Sequence, residues 1–425
     1  MGASPKQILR HAKRNFTYQL LPPKFSDKRT VEDMFDPAKY VEFMGKEEYY
    51  LDFVAFFERK LEQDGPAKVL QDYLVGDGEI ARSMFPRLWH GERIPSQSPS
   101  PPTQYSNTHD VNRSGYVHAI MHVGLGLEFK QLPILAEGLA EAAVHEDWWY
   151  DKFISTAEAY AQQRVQSRQS LVDIFDACLR DPVVTSCVDW DYMNQWEDPT
   201  EEYPNGRWVV RREPFRDGVV GKALEPLARL VSAWRVDPDH DDLERVTAEL
   251  INASIYMAAS AQRPPHQPRF DFFIIHGCNA ALWHSVYLAE PSITRAQKAR
   301  MIETTGRMLF FLWAGVGAPR PELDHLMAYK PKRAGAGWDD IFARSCTHED
   351  DGHMIKLIRA LANGEKVSRP YDHLPEFRMK QHMFLHAAHA AIDASSDMPM
   401  IEVMHLDIIR LVGFPEAWEK VPVME

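Results

Sequence analysis

Apolar residues recur at spacings of three and four along most of this chain, and strand-like alternation is scarce. That spacing is the period of an α-helix with one face turned to a core. It predicts helices over residues 49–61, 132–148, 243–259, 296–313 and 354–362. Several such stripes can leave water only by packing on one another. The pattern therefore predicts a mainly α fold, one large helical domain over residues 1–425 with long irregular loops. The interruptions are a Pro/Ser-rich loop at 95–102 and a Trp-, Pro- and charge-rich connection at 190–215. The latter is read as irregular, with a short hairpin around Trp208–Arg211. Further breaks fall at 315–321 and 330–337, and none has the composition of an interdomain linker.

Charge narrows the partners. The chain carries 48 Lys plus Arg against 61 Asp plus Glu, a net charge of −13, which repels a phosphate backbone and excludes nucleic acid as an expected partner. Cys178, Cys187, Cys278 and Cys346 form no Cys-x-x-Cys pair and are read as reduced, buried thiols. The first residues show no apolar signal segment. The most apolar run, residues 308–319, is well short of the roughly 20 residues a spanning helix needs. A cytoplasmic protein without a membrane anchor is expected.

The histidines carry the candidate chemistry, because several of the 18 sit inside apolar helical stretches. His118 and His122 are four apart and share a helical face, the spacing of a chelating pair or of two hydrogen-bonded core imidazoles. Glu137, Glu141 and His145 follow at the same spacing, as further ligands, as partners that orient ligand imidazoles, or as a solvated face. His276 closes the apolar run from Phe270, with His284 about two turns on. His353 follows the acidic stretch His348–Gly352, whose carboxylates would also suit a helix start. Lys356 lies one turn after His353. It would ligate a metal only as the neutral amine or as an anion such as a carbamate. His382, His386 and His389 share one otherwise apolar face, or form a partly exposed helix edge. Imidazole-rich sites suit iron and can leave positions for dioxygen, and the same residues would suit zinc.

Other chemistries lack their signatures. Gly76–Ala81 matches only the loose dinucleotide pattern, carries two acids, and has no strand–turn–helix context, so no flavin motif is present. There is no Walker sequence, nucleophile elbow or His-Glu-x-x-His. Two Glu-x-x-His spacings, Glu322 with His325 and Glu402 with His405, leave a di-iron bundle as a weaker alternative.

Three blocks carry a family resemblance. His118–Phe129 followed by Ala136–Ala140, then Phe270–His276, then His353–Leu361, resemble the questin oxidase-like family; Gly2–Pro5 resembles a segment near the family's start. The resemblance implies Baeyer–Villiger-type or ring-opening oxidation of anthraquinone-like aromatic polyketides in fungal secondary metabolism, with dioxygen. Nonheme iron and NADPH are the cofactors it suggests. It carries a metal-binding role onto His118, His122, His276, His353 and Lys356. Glu128, Glu141 and His145 are then expected to orient a ligand or move a proton. Members carry a His-rich stretch ahead of the segment matching Gly2–Pro5, which has no counterpart before Met1. His382, His386 or His389 are the expected substitutes, His386 foremost. A zinc-dependent hydrolase and a binding protein that has lost its chemistry stay open as alternatives.

Overall fold

The structure, a computed structural model, describes residues 2–15, 25–89, 117–163, 168–192, 195–197, 207–209, 213–348, 350, 352–394 and 408–424. Each of the five segments with helical spacing forms a helix over most of its length. We label the elements used here α1 (Tyr50–Leu70), α2 (His118–Phe129), α3 (Leu132–Val144), α4 (Leu243–Ser260), α5 (Phe272–Leu282), α6 (Arg295–Gly315), α7 (His353–Ser368) and α8 (Gln381–Ala394). Their apolar faces merge into one core that runs from Val31 to Val421. The expectation of a mainly α fold is met. The helix expected to reach Trp148 stops at Val144, because Arg87 donates to the His145 carbonyl and holds that residue in extended backbone.

Strand is confined to two short pairs among the described residues. β1 (Gln195–Glu197) runs antiparallel to β2 (Arg207–Val209), with Trp196 opposite Trp208. This places the strand expected near Trp208; Val210 and Arg211, like the loop 95–102, lie outside the described residues. β3 (Phe270–Asp271) pairs in parallel with β4 (Ile408–Ile409). All four cysteines are free and buried. No helix among the described residues is long and apolar enough to cross a membrane.

Close approach of α2 and α3 depends on two glycines. A Cβ on Gly126 would lie 2.6 Å from the Leu135 nitrogen, and one on Gly138 would lie 2.6 Å from the Val123 nitrogen. The two contacts run in opposite order along the chain, so the helices are antiparallel. They bring the α3 carboxylates level with the α2 histidines.

α5 stands at the centre and fixes the site. Gly277 packs on Leu309 and Leu312 of α6. The Cys278 thiol donates to the Ser254 carbonyl of α4 over 3.3 Å. His276 meets His118 of α2 and His353 of α7. Farther along, Trp283 backs onto Gly124, while Arg359 lies 4.5 Å over its ring. α2, α5 and α7 therefore run side by side in the same direction, in a constant register.

Candidate functional site

Two of the three parallel helices are started by a carboxylate that sets the histidine in place. Asp271 caps α5: its Oδ1 accepts from the Phe273 and Ile274 nitrogens at 2.7 and 3.1 Å. Its Oδ2 accepts from Val412 at 3.2 Å, which fastens the segment after β4 to the same helix. Burial pushes this carboxyl up to about 6, against the pull of the backbone donors. α7 starts at Gly352 in the left-handed region (φ 94°). Asp350 accepts from the Gly352 and Met354 nitrogens at 2.8 and 2.6 Å. That is the helix-start role open to the acidic stretch; Glu349 and Asp351 lie outside the described residues.

The geometry converges near the N-terminal end of each helix. The Nε2 atoms of His118 and His276 are 3.3 Å apart. Ring centroids separate His118 from His276 by 5.4 Å, His276 from His353 by 5.1 Å, and His118 from His122 by 5.9 Å. Phe272 packs on both His276 (4.6 Å) and His353 (4.9 Å), and the Arg410 guanidinium lies 4.3 Å over the Phe272 ring.

The tautomer of His276 follows from its partner. Its Nδ1 lies 2.5 Å from the Phe272 carbonyl oxygen. A carbonyl can only accept, so Nδ1 carries the proton and the neutral ring presents an Nε2 lone pair toward His118. Burial first, then the charges of neighbouring histidines and Lys356, hold both His118 and His276 well below the ordinary imidazole range. Both rings are neutral near pH 7, the form that binds a metal.

One turn along α2, His122 behaves differently. Burial pulls its basicity down, but the Glu141 carboxylate outweighs that and holds it above the usual value. Its Nδ1 lies 3.0 Å from Glu141, an ion-pair contact set off the axis of a good hydrogen bond. A carboxylate on one imidazole nitrogen orients the ring and leaves the other nitrogen for a ligand or a proton. Glu137, one turn before Glu141, has its carboxyl raised by burial and by Glu141. Lys356 is half-buried, and its charge is felt by His118, His122 and His276.

The raised basicity of His122 gives a signed prediction. A histidine that gains a partner on folding contributes stability fully present below its unfolded value of 6.5 and lost as pH rises through the raised one. Glu141→Gln is therefore expected to destabilise the fold more at pH 6 than at pH 9. Denaturant midpoints at both values check it, and equal losses would sink the assignment.

The remaining candidates lie elsewhere. Glu128 is exposed at the end of α2 and pairs with Arg359. Glu128→Gln is expected to change stability by less than about 1 kcal/mol and to leave activity intact, as for other surface pairs; a larger loss of turnover would return it to the site. His145 is buried, with Nδ1 3.3 Å from the Arg87 carbonyl. Burial holds it below the usual range. His386 on α8 donates to the Leu326 carbonyl at 3.1 Å, and His389 donates to Ala336 at 2.9 Å. His386, an expected further ligand, thus has its Nε2 engaged by a backbone carbonyl. His284 is tied to Thr305 at 2.7 Å, and burial pushes it down to about 3. His325 donates to the His266 carbonyl at 2.7 Å, so the first Glu-x-x-His spacing makes no bundle site. Glu402 and His405 lie outside the described residues.

Sequence reasoning passed over Phe272, Arg410 and Asn279. Asn279 had a visible signal, a lone amide one turn after His276 inside a strongly apolar run.

The donor chemistry fits a metal in part. Two nitrogens that each bind one ion at about 2.1 Å stand roughly 3.0–3.4 Å apart, and His118 and His276 stand at 3.3 Å. Among the described residues no three His, Cys, Asp or Glu side chains already converge on one point. His353 and His122 are the nearest further imidazoles.

Comparison with known proteins adds an independent line. A family described as questin oxidase-like matches residues 1–361. Baeyer-Villiger oxidase AgnL3 of Paecilomyces divaricatus is 31% identical over 430 residues, covering 100% of this chain and 84% of that protein. Questin oxidase of Aspergillus fumigatus is 30% identical over 431 residues, covering 100% of this chain and 86% of its own. Oxidoreductase AflY of Aspergillus parasiticus is 28% identical over 399 residues, covering 94% and 72%.

Proposed function

This chain belongs to the questin oxidase-like family, and from that premise we propose that it is an oxidoreductase of secondary metabolism that oxygenates an anthraquinone-like aromatic polyketide. The reaction is Baeyer–Villiger-type insertion beside a ring carbonyl, or cleavage of the ring. The reading is supported by relatives named as Baeyer-Villiger and questin oxidases. The observation that carries it is the facing Nε2 pair of His118 and His276 with His353 against it.

We assign nonheme iron to His118, His276 and His353, with His122 as the fourth imidazole; bound there, it would supply dioxygen binding and electron transfer to oxygen. The protein's own contributions are separable from that. Burial keeps His118 and His276 neutral, so their lone pairs are available across physiological pH. The Phe272 carbonyl fixes the direction of the His276 lone pair. Glu141 faces His122 Nδ1, orients the ring and leaves Nε2 as its ligating nitrogen. Phe272 lays an aromatic face against His276 and His353, an apolar wall that suits a flat aromatic ligand. Lys356 would join the ligands only after losing its charge, as the amine or as a carbamate. Insertion of one oxygen atom leaves the other as water and takes two electrons from NADPH; insertion of both atoms takes none. The protein would work in the cytoplasm on a small molecule, with no part for nucleic acid given its net charge of −13.

The test is elemental analysis of protein purified without added metal, followed by oxygen uptake with 1,8-dihydroxyanthraquinone, with and without NADPH. Near-stoichiometric iron and uptake matched by a product heavier by one or two oxygen atoms are expected. Zinc, with hydrolysis and no uptake, would move the site to the hydrolase reading. Folded protein that holds no iron after anaerobic loading, and consumes no oxygen, would overturn the iron oxygenase.

A further inference from the structure

We propose that Asn279 is a specificity-determining residue of this site, reading an adjacent hydroxyl and carbonyl on the edge of a hydroxylated quinone. The inference rests on the aromatic-polyketide reading above and names the feature of the ligand that the site selects.

Asn279 is 1% exposed, and neither its amide oxygen nor its amide nitrogen has a hydrogen-bond partner. Buried polar groups in folded proteins are nearly always paired, and each exception needs a reason. Asn252, equally buried, shows the structural alternative in the same fold. Its Nδ2 donates to Ser368 Oγ at 3.0 Å and to the Met379 carbonyl at 2.9 Å, and its Oδ1 accepts from the Met379 nitrogen at 3.1 Å. Asn252 holds helices together; Asn279 holds nothing that the fold itself provides.

The direction of Asn279 follows from its neighbours on α5. Successive residues turn by about 100° around a helix. Gly277 faces α6, Cys278 faces α4 and His276 faces α2 and α7. Asn279 lies one further step past Cys278, between the α4 direction and the His276 direction. That sector belongs to α7, which touches α4 through Gly364 against Ile255 and reaches His276 through His353.

Its level follows from the register of the parallel helices. His353 meets His276, Arg359 covers Trp283, and the Asn363 amide donates to Ser285 at 3.3 Å. These three contacts place Lys356 opposite Asn279. On the other side, His118 meets His276 and Gly124 meets Trp283, so His122 stands near the same height. One turn beyond the His118–His276–His353 layer there is thus a second layer of His122, Asn279 and Lys356. Asn279 lies beneath the surface of this layer, whose outer part is formed by His122, with its side chain 34% exposed, and by half-buried Lys356.

An amide offers one acceptor oxygen and two N–H donors. A hydroxyl next to a quinone carbonyl gives its proton to that carbonyl, so the edge presents two adjacent acceptor oxygens to the amide's N–H donors. The charge of Lys356 at the same level favours an oxygen-rich, acidic edge over a hydrocarbon one. A ligand held by this edge lies about one helical turn from the His118–His276 pair.

The experiment is equilibrium binding of 1,8-dihydroxyanthraquinone and of unsubstituted 9,10-anthraquinone, followed by tryptophan fluorescence, with thermal unfolding in parallel. Wild type and Asn279→Leu are compared, with Asn252→Leu as the variant of the paired amide. Wild type is expected to prefer the hydroxylated probe by about tenfold or more, and Asn279→Leu to lose that preference through the hydroxylated probe alone. Asn279→Leu is expected to melt no lower than wild type, because it removes an unpaired buried amide, whereas Asn252→Leu melts lower. Retained preference in Asn279→Leu, or a lower melting temperature with both probes weakened alike, would overturn the proposal. Wild-type protein that binds neither quinone would sink the polyketide reading and this proposal with it.

Discussion

Alanine at His276 is expected to lower turnover by about a thousandfold or more and to release bound metal, and His118→Ala is expected to do the same. The two imidazoles are expected to act as one unit. Their Nε2 atoms face each other across 3.3 Å, and the neutrality of His118 depends in part on the closeness of His276. Residues that act as one unit are not additive. The double variant is therefore expected to be no slower than either single one. Steady-state rates of the three variants, with metal content on the same preparations, decide it. Effects that multiply in the double variant would mean two separate roles and would remove the shared-ligand reading. His276 is buried at the core, so circular dichroism must show a folded protein before its rate is counted. His284→Ala serves as a comparison, because His284 is also a buried neutral imidazole on the next helical segment but is tied to Thr305.

Gly138→Ala is expected to lower stability by about 2–3 kcal/mol, at the upper end of what overpacking does, because the new methyl meets backbone. Its Cβ would lie 2.6 Å from the Val123 nitrogen and 3.0 Å from the His122 Cβ. Neither atom can rotate away, so α2 and α3 must separate. The His122–Glu141 contact spans those two helices and would lengthen with them. The variant should therefore lose both melting temperature and the raised basicity of His122, read from histidine proton titration by NMR. Gly337→Ala is the matched comparison, with nothing within 4 Å of its Cβ, and is expected to fall within about 0.5 kcal/mol of wild type. A Gly138→Ala protein as stable as wild type would mean that the helices have slack where the packing shows none.

Much of the fold was legible because helical spacing is a local property. The five stripes, the central apolar run before His276 and the lack of strand could be read without knowing any long-range contact. The site was legible only as a set of candidates. His118, His276 and His353 lie on three different helices, and only parallel packing in register brings them together. His284, His325, His386 and His389 have the same local texture, yet each is tied to a hydroxyl or a backbone carbonyl that no spacing reveals. Glu128 and Glu141 show the same limit. One follows α2 out to Arg359, and the other is folded back onto His122 by the antiparallel α2–α3 contact. Asn279 was written in the sequence as an amide in an apolar run, but its lack of a partner is a property of the packed core.

The cap on α5 sets a clock on biosynthesis. Asp271 completes its hydrogen bonds with a backbone nitrogen 141 residues downstream, at Val412. At a ribosomal pace of roughly 5–20 residues per second, those 141 residues take about 7–28 s to appear. Through that interval the helix bearing His276 has its start but not its fastening, and Phe272 lacks the Arg410 cover. A nascent chain therefore spends seconds with the cap beneath His276 incomplete.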